Sequence, residues 1–258
     1  MARYLIMSDI HGNLQALESA VSDVSRDAEL NGRLAGAFLL GDIVDYGMQT
    51  NEVVEFMKHE FRERVGAEVV ASIWGNHEHA VMEGDFSRFS SERGVQSAKY
   101  TASILTDETK AYLEGEMEHS GMQTLEIDGQ KVLLVHGTLS DPYWGKLLPE
   151  DVHDDPSGQF SYDRFDIVMS GHTHCSQVFT KFYPSDDETM RGKKAVTFIN
   201  PGSVGQPRNH NPLVQYAIWD SETGEVGLHA VEYDIEKTMS YYHGQVDDFY
   251  RDRLRYGV

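Results

Sequence analysis

Short apolar runs alternate with polar, turn-rich stretches along the first third of the chain. "RYLIM" (3–7), "AGAFLL" (35–40) and "EVVASIW" (68–74) read as buried strands. Between the first two, Leu14, Leu17, Val21 and Val24 recur at helical spacing, with Asn13 placed as an N-cap. A second helix is expected from about Asn51 to Phe61. Strand, polar loop and helix, repeated in that order, predict a parallel sheet with right-handed crossovers. In such sheets, binding sites form at the carboxyl ends of the strands.

From Glu78 to Glu118 the pattern is mostly helical. "MQTLEIDGQKVLLV" (122–135) then predicts a hairpin, with Asp128-Gly129 as its two-residue turn. "DIVM", "QVFTKFY", "AVTFIN", "VQYAIW" and "EVGLHAVEY" follow as further strands, and "PSDDETMRGK" (184–193) reads as a solvated loop. The closing "IEKTMSYYHGQVDDFYRDRLRY" is amphipathic, and Met239, Tyr242, Phe249 and Leu254 are expected to form a packed helix face. That face leaves a homodimer interface open. One domain is expected over 1–258, with a mostly helical, cap-like insertion near 79–120.

Composition narrows the function classes. The 258 residues are 40% hydrophobic and 25% charged, the balance of a soluble globular protein. No 18-residue apolar run is present, and "MARYLIMSDIHGN" does not read as a secretory signal. Cys175 is the only cysteine, so an intrachain disulfide is excluded and a cytoplasmic location is expected. The formal net charge of −20 repels nucleic acid and anionic membranes. A small anionic substrate requires positive charge concentrated in one cleft, and metal ions can supply it.

Five loops begin where strand runs stop: "SDIHGN", "GDIVDYG", "GNHE", "VHG" and "SGHTH". They hold Asp9, His11, Asp42, Asp45, Asn76, His77, His136, His172 and His174. Singly, each has an ordinary structural reading as a cap, a turn or a satisfied core histidine. Jointly, loops at the strand ends of one sheet face the same crevice, and converging imidazoles and carboxylates have the composition of a metal site. Setting His77 aside leaves eight candidates, too many for one zinc and suited to two ions sharing a carboxylate. Cys175 alternates away from His172 and His174 if the segment is extended, and reads as a structural cysteine.

In this order, "D-x-H-G-N", "G-D-x-x-D", "G-N-H-E", "V-H-G" and "G-H-x-H" resemble the calcineurin-like metallophosphoesterase superfamily. The resemblance runs from about Met7 to Arg208, and "NPGSVGQPR" is similar to its small bacterial and archaeal single-domain branch. It implies an α/β fold, a four-layer α-β-β-α sandwich of two mixed sheets flanked by helices. It implies a dinuclear site for Mn²⁺, Fe, Zn²⁺ or Ni²⁺, with Asp9, His11 and His174 on one ion and Asn76, His136 and His172 on the other. Asp42 would bridge both, His77 would be the catalytic acid and Asp45 its partner; Asn76 and His77 would also contact substrate.

The implied activity is hydrolysis of a small phosphate ester, a monoester or diester, by metal-activated hydroxide, with His77 protonating the leaving group. Dinucleoside polyphosphates are an alternative substrate. A non-catalytic interaction scaffold of the same fold is the opposing class, and filled ligand positions argue against it. One departure stands out. Related protein phosphatases carry an arginine where this chain has Tyr46, so a phosphate clamp is missing from that loop, and Arg208 is the candidate cation from the other side. Specificity is expected in loops such as 79–120 and 140–165. No role falls to His59, His79, His119, His153, His210, His229 or His243, although His79 and His210 are candidates to lie near the cleft.

Overall fold

A computed structural model of the chain describes residues 2–150, 152 and 158–258. His153 and part of the 140–165 loop lie outside the described residues.

The strands β1 (Arg3–Met7), β2 (Gly36–Leu39) and β3 (Val69–Ser72) are parallel neighbours, joined through α1 (Leu14–Asn31), α2 (Thr50–His59) and α3 (Phe61–Val65). Asn13 caps α1 by accepting from the Ala16 N–H at 3.2 Å, as its position predicts. Then come α4 (Asn76–Glu83), α5 (Glu92–Ile104) and α6 (Asp107–Gly115), filling the helical stretch. β4 (Met122–Ile127) and β5 (Gln130–Val135) form the hairpin, with Asp128 and Gly129 both at positive φ, as a primed turn requires. β6 (Ile167–Ser170), β7 (Gln177–Pro184), β8 (Lys193–Asn200), β9 (Val214–Asp220) and β10 (Val226–Val231) complete the strands.

Two mixed five-stranded sheets result, in the orders β10-β9-β1-β2-β3 and β4-β5-β6-β8-β7. The strand alternation explains the layers. Tyr4, Ile6, Phe38 and Leu40 point to the other sheet and meet Val132, Leu134, Met169 and Ile199 there. Leu5, Met7, Ala37 and Leu39 point the opposite way, into a core with α1, α2 and α3. Both faces of β1 and β2 are thus buried, and that is why their sequences are unbroken apolar runs. Ala98, Leu105 and Leu113 bring α5 and α6 into the same core as α1. On the outer face of the second sheet, Leu139, Leu147, Tyr162 and Phe165 cover Val135, Val168 and Phe198.

The end of the chain departs from the sequence reading. Instead of one amphipathic helix there are two short ones, α7 (Ile235–Met239) and α8 (Phe249–Asp252), followed by a tight turn at Arg253–Arg255. Gly244 sits at φ 85, outside the helical region, and the Asp247 carboxylate accepts from the Phe249 N–H, restarting the helix. The apolar residues still pack, but around Tyr46: Tyr242, Val246, Tyr250 and Leu254 are buried there, with Met239 and Phe249 against them. Among the described residues no helix is long and apolar enough to cross a membrane.

Candidate metal centre

The carboxyl ends of β1, β2, β3, β5 and β6 deliver their loops to one place. The backbone there is unusual. Ten non-glycine residues among those described have positive φ, and seven of them are Asp9, His11, Asp42, Asp45, Tyr46, His172 and His174. Left-handed backbone costs a non-glycine residue about 1 kcal/mol or more, so the contacts around these loops must hold that strain. Gly75 explains the close approach of "GNHE" to "GDIVD": a Cβ at that position would lie 2.1 Å from Asp42 Oδ1 and 2.7 Å from His136 Cε1.

The side chains converge in two groups that share Asp42. Ligand atoms of Asp9, His11, Asp42 and His174 lie within 4.8 Å of one another, and so do those of Asp42, His136 and His172. Asn76 belongs with the second group, its Oδ1 2.9 Å from His172 Nδ1 and 3.1 Å from His136 Nε2. Asp9, His11, Asp42, Asn76, His136 and His174 are buried, and His172 is partly exposed.

Hydrogen bonds fix the imidazole tautomers. His11 Nδ1 faces Val44 O at 3.1 Å, His136 Nδ1 faces Leu40 O at 2.7 Å and His174 Nδ1 faces Gln206 O at 2.5 Å. A carbonyl only accepts, so each Nδ1 carries a proton and donates. Burial first, then His77, hold the His11 imidazole well below its ordinary range. Burial and the nearby Arg208 lower His174 as well. His11 and His174 are therefore neutral, with lone pairs on Nε2. Those nitrogens are 3.2 Å apart and lie 3.8 and 3.1 Å from Asp9 Oδ1. Asp9 Oδ2 accepts from the His172 N–H, but Oδ1 is buried without a hydrogen-bond donor. Three electron-pair donors face one another with no proton between them. Such a set fits a cation and little else.

The other titrating groups follow from the same charges. Burial opposes ionisation of Asp9 and Asp42, yet in the acid range, where the imidazoles are protonated, His174 overrides it for Asp9 and His136 for Asp42, so both stay below the carboxylate range. Burial alone would lower His136, but Asp42 carries it up to about 9. His172 goes down to about 3 through burial and the proximity of His136.

His77 stands beside both groups. Burial would depress it, and Asp42 with the Asp45 hydrogen bond outweighs that and raises it. Its Nδ1 is 2.6 Å from Asp45 Oδ2, and its N–H donates to Asp42 Oδ1 at 2.9 Å. Asp45 Oδ1 accepts from Ser97 Oγ at 2.6 Å, Thr101 Oγ1 at 2.9 Å and the Tyr46 N–H at 2.6 Å. Asp45 lies outside both donor groups and serves the histidine instead.

Ser97 and Thr101 come from α5, and nothing in their local sequence marks them. Glu78 was also missed, although it stands inside the "GNHE" stretch. It is fully buried, and its carboxylate accepts from the N–H groups of Asp42, Ile43, Val44 and Gly75 at 2.7 to 3.1 Å. Burial and Asp42 push it up to about 7. It clamps the Asp42 loop to the Asn76–His77 loop.

"SGHTHCS" is not extended. β6 ends at Ser170, and His172 and His174 occupy a turn at φ 64 and 56. The left-handed backbone, not strand alternation, sends the two imidazoles to different donor groups. Cys175 belongs to neither; it is partly buried, with Sγ 3.8 Å from Arg208 O. Arg208 reaches the edge of the site, its guanidinium 5.8 Å from the Tyr46 ring. Tyr46 itself stacks on Tyr250 at 4.5 Å and meets His11 tilted at 4.7 Å and His77 edge-on at 4.4 Å. His79 packs on Tyr143, and His210 is exposed.

Residues 3–224 match the calcineurin-like phosphoesterase superfamily domain. The chain belongs to that family. It is 30% identical over 245 residues to an uncharacterised protein of Methanocaldococcus jannaschii, covering 90% of this chain and 88% of that one. It is similar to a metallophosphoesterase from Sphaerobacter thermophilus, with 28% identity, a TM-score of 0.71, and 100% and 99% of the two chains covered. A hypothetical protein of Pyrococcus horikoshii shares the fold at a TM-score of 0.76 with 22% identity, over 100% and 99% of the chains. The two mixed sheets with helices are the fold of these structures.

Proposed function

We propose that this protein is a metal-dependent phosphoesterase in which Asp9, His11 and His174 hold one divalent ion, Asn76, His136 and His172 hold a second, and Asp42 is shared. The observation that carries the reading is the pair of donor groups meeting at Asp42, with Asp9 Oδ1 buried and lacking a donor. Mixed N/O donors of this kind suit Mn²⁺, Fe, Zn²⁺ or Ni²⁺. Two such ions, when bound, supply Lewis-acid polarisation of a phosphoryl oxygen and a water acidified toward neutral pH.

The chain's own residues do the rest. Asp45 anchors Nδ1 of His77 and leaves Nε2 as the atom that hands a proton to the leaving oxygen, a role worth ~10²–10⁴-fold in rate. Ser97 and Thr101 hold Asp45 in turn. Glu78 fixes the two loops that carry Asp42 and Asn76 against each other. Tyr46, in place of an arginine, packs its buried ring against His11, His77 and Tyr250, and Arg208 supplies the cation nearby.

The test is a hydrolysis panel with Mn²⁺-loaded protein: p-nitrophenyl phosphate, bis(p-nitrophenyl) phosphate, a cyclic nucleotide and a dinucleoside tetraphosphate. Turnover of at least one, abolished by a chelator and restored by metal, supports the reading. No turnover of any would favour a non-catalytic scaffold of the same fold.

A further inference from the structure

Gln206 does two things at once. Its backbone oxygen holds His174, and its side-chain Oε1 accepts from Arg208 Nη2 at 2.9 Å and Arg253 Nη1 at 3.0 Å. Gln206 is 2% exposed, so the two guanidiniums are brought together on a buried, neutral oxygen. A neutral acceptor does not offset the repulsion between two fixed cations. Among the described residues neither arginine is ion-paired with an Asp or Glu side chain, in a chain with 42 such side chains, although Arg253 Nε donates to the Val258 oxygen. Arg208 Nε is buried with no hydrogen-bond partner at all.

Aromatic rings set the position of the pair. The Arg208 guanidinium is near Tyr46, whose ring lies 4.4 Å from that of His77. Arg253 lies 4.8 Å over Phe249, and Tyr250 next to it stacks on Tyr46 at 4.5 Å. The exposed Arg93 approaches the same Phe249 ring at 4.0 Å. Burial and Arg208 draw the Arg253 guanidinium down to about 10, where it is still cationic at neutral pH. Two guanidiniums held together on one neutral acceptor, one of them with an unused N–H, have the make-up of a phosphate-binding pocket.

We infer that Arg208 and Arg253 form a second anion subsite beside the metal-ligand cluster, and that the substrate is a phosphate ester carrying a further phosphate group. The inference rests on the phosphoesterase reading for its account of catalysis, and on the arginine geometry alone for binding. It assigns a role to the broken C-terminal segment: the turn after α8 exists to bring Arg253 to Gln206.

The experiment compares AMP, ADP and adenosine 3′,5′-bisphosphate as substrates of Mn²⁺-loaded protein, with p-nitrophenyl phosphate as the activity reference. The wild type is expected to prefer at least one of the two-phosphate compounds over AMP by about tenfold or more in kcat/KM, the scale of one charge-assisted contact. Arg253→Gln should collapse that preference, chiefly through KM. Arg255→Gln, which removes a surface ion pair with Glu236, should keep it. Equal use of AMP and both two-phosphate compounds by the wild type, or a preference surviving in Arg253→Gln, overturns the subsite. If nothing is hydrolysed, including the aryl phosphate, the phosphoesterase reading fails. Calorimetric titration with adenosine 3′,5′-bisphosphate then decides the subsite: weaker binding to Arg253→Gln upholds it, and equal or absent binding refutes it. Unchanged circular dichroism and melting temperature of the variant exclude misfolding as the cause.

Discussion

Asp45→Asn isolates proton donation from metal binding. In the native site Asp45 Oδ2 meets His77 Nδ1 at 2.6 Å, while Oδ1 accepts from Ser97, Thr101 and the Tyr46 N–H. Three donors on Oδ1 force the asparagine to place its oxygen there and its NH₂ toward His77. Nδ1 must then accept, so His77 is held as the neutral Nε2–H tautomer, a far weaker acid than the imidazolium. The loss should approach the full worth of a general acid, ~10²–10⁴-fold, or about 3–5 kcal/mol of barrier. It should depend on the leaving group. An alkyl phosphate needs the proton and should show the full loss. p-Nitrophenolate leaves well unprotonated, and that substrate should lose less than about tenfold. Metal content should not change, because Asp45 is outside both donor groups. Steady-state kcat/KM on the two substrates, with metal analysis by plasma emission, is the assay. An equal loss on both substrates, or loss of metal, would refute the assignment of His77 and Asp45.

Three further outcomes follow from the geometry. Asp42→Asn should deplete metal from both positions, whereas His174→Ala and His172→Ala should each deplete one, and a different one; loss of the same position in both would return the pair to a single-ion site. Glu78→Gln should cost about 2–4 kcal/mol in urea unfolding, since the amide NH₂ would face two of four buried N–H groups, and a cost below about 0.5 kcal/mol would show that the clamp is dispensable. Gly75→Ala should lose metal as well as stability, because its Cβ would overlap Asp42 and His136; full occupancy in that variant would contradict the packing.

Much of the fold was legible because each buried strand announces itself locally. "RYLIM" coincides with β1, and Asp128-Gly129 is the turn of the hairpin. The loops that end those strands were legible for the same reason, and so was the crevice they share. What was not legible depends on contacts between distant segments. Ser97 and Thr101 look like ordinary helix residues until α5 lies over Asp45. Glu78 was visible as a letter in "GNHE", but its four N–H donors come from two loops that meet only in the folded chain. The C-terminal segment shows the converse failure: its apolar spacing is real, yet Gly244 and the pull of Tyr46 break the helix that the spacing predicts. The turn at His172–His174 could not be read from the sequence, because imidazole residues at positive φ are tolerated only where the surrounding contacts hold them.

The most direct test of a shared two-ion site is anomalous diffraction from crystals of the Mn²⁺-loaded protein, collected on both sides of the manganese edge. Two anomalous peaks are predicted, one among Asp9, His11 and His174 and one among Asn76, His136 and His172, with Asp42 contacting both. A single peak at saturating metal, or a pair of peaks that Asp42 does not touch, would contradict the account.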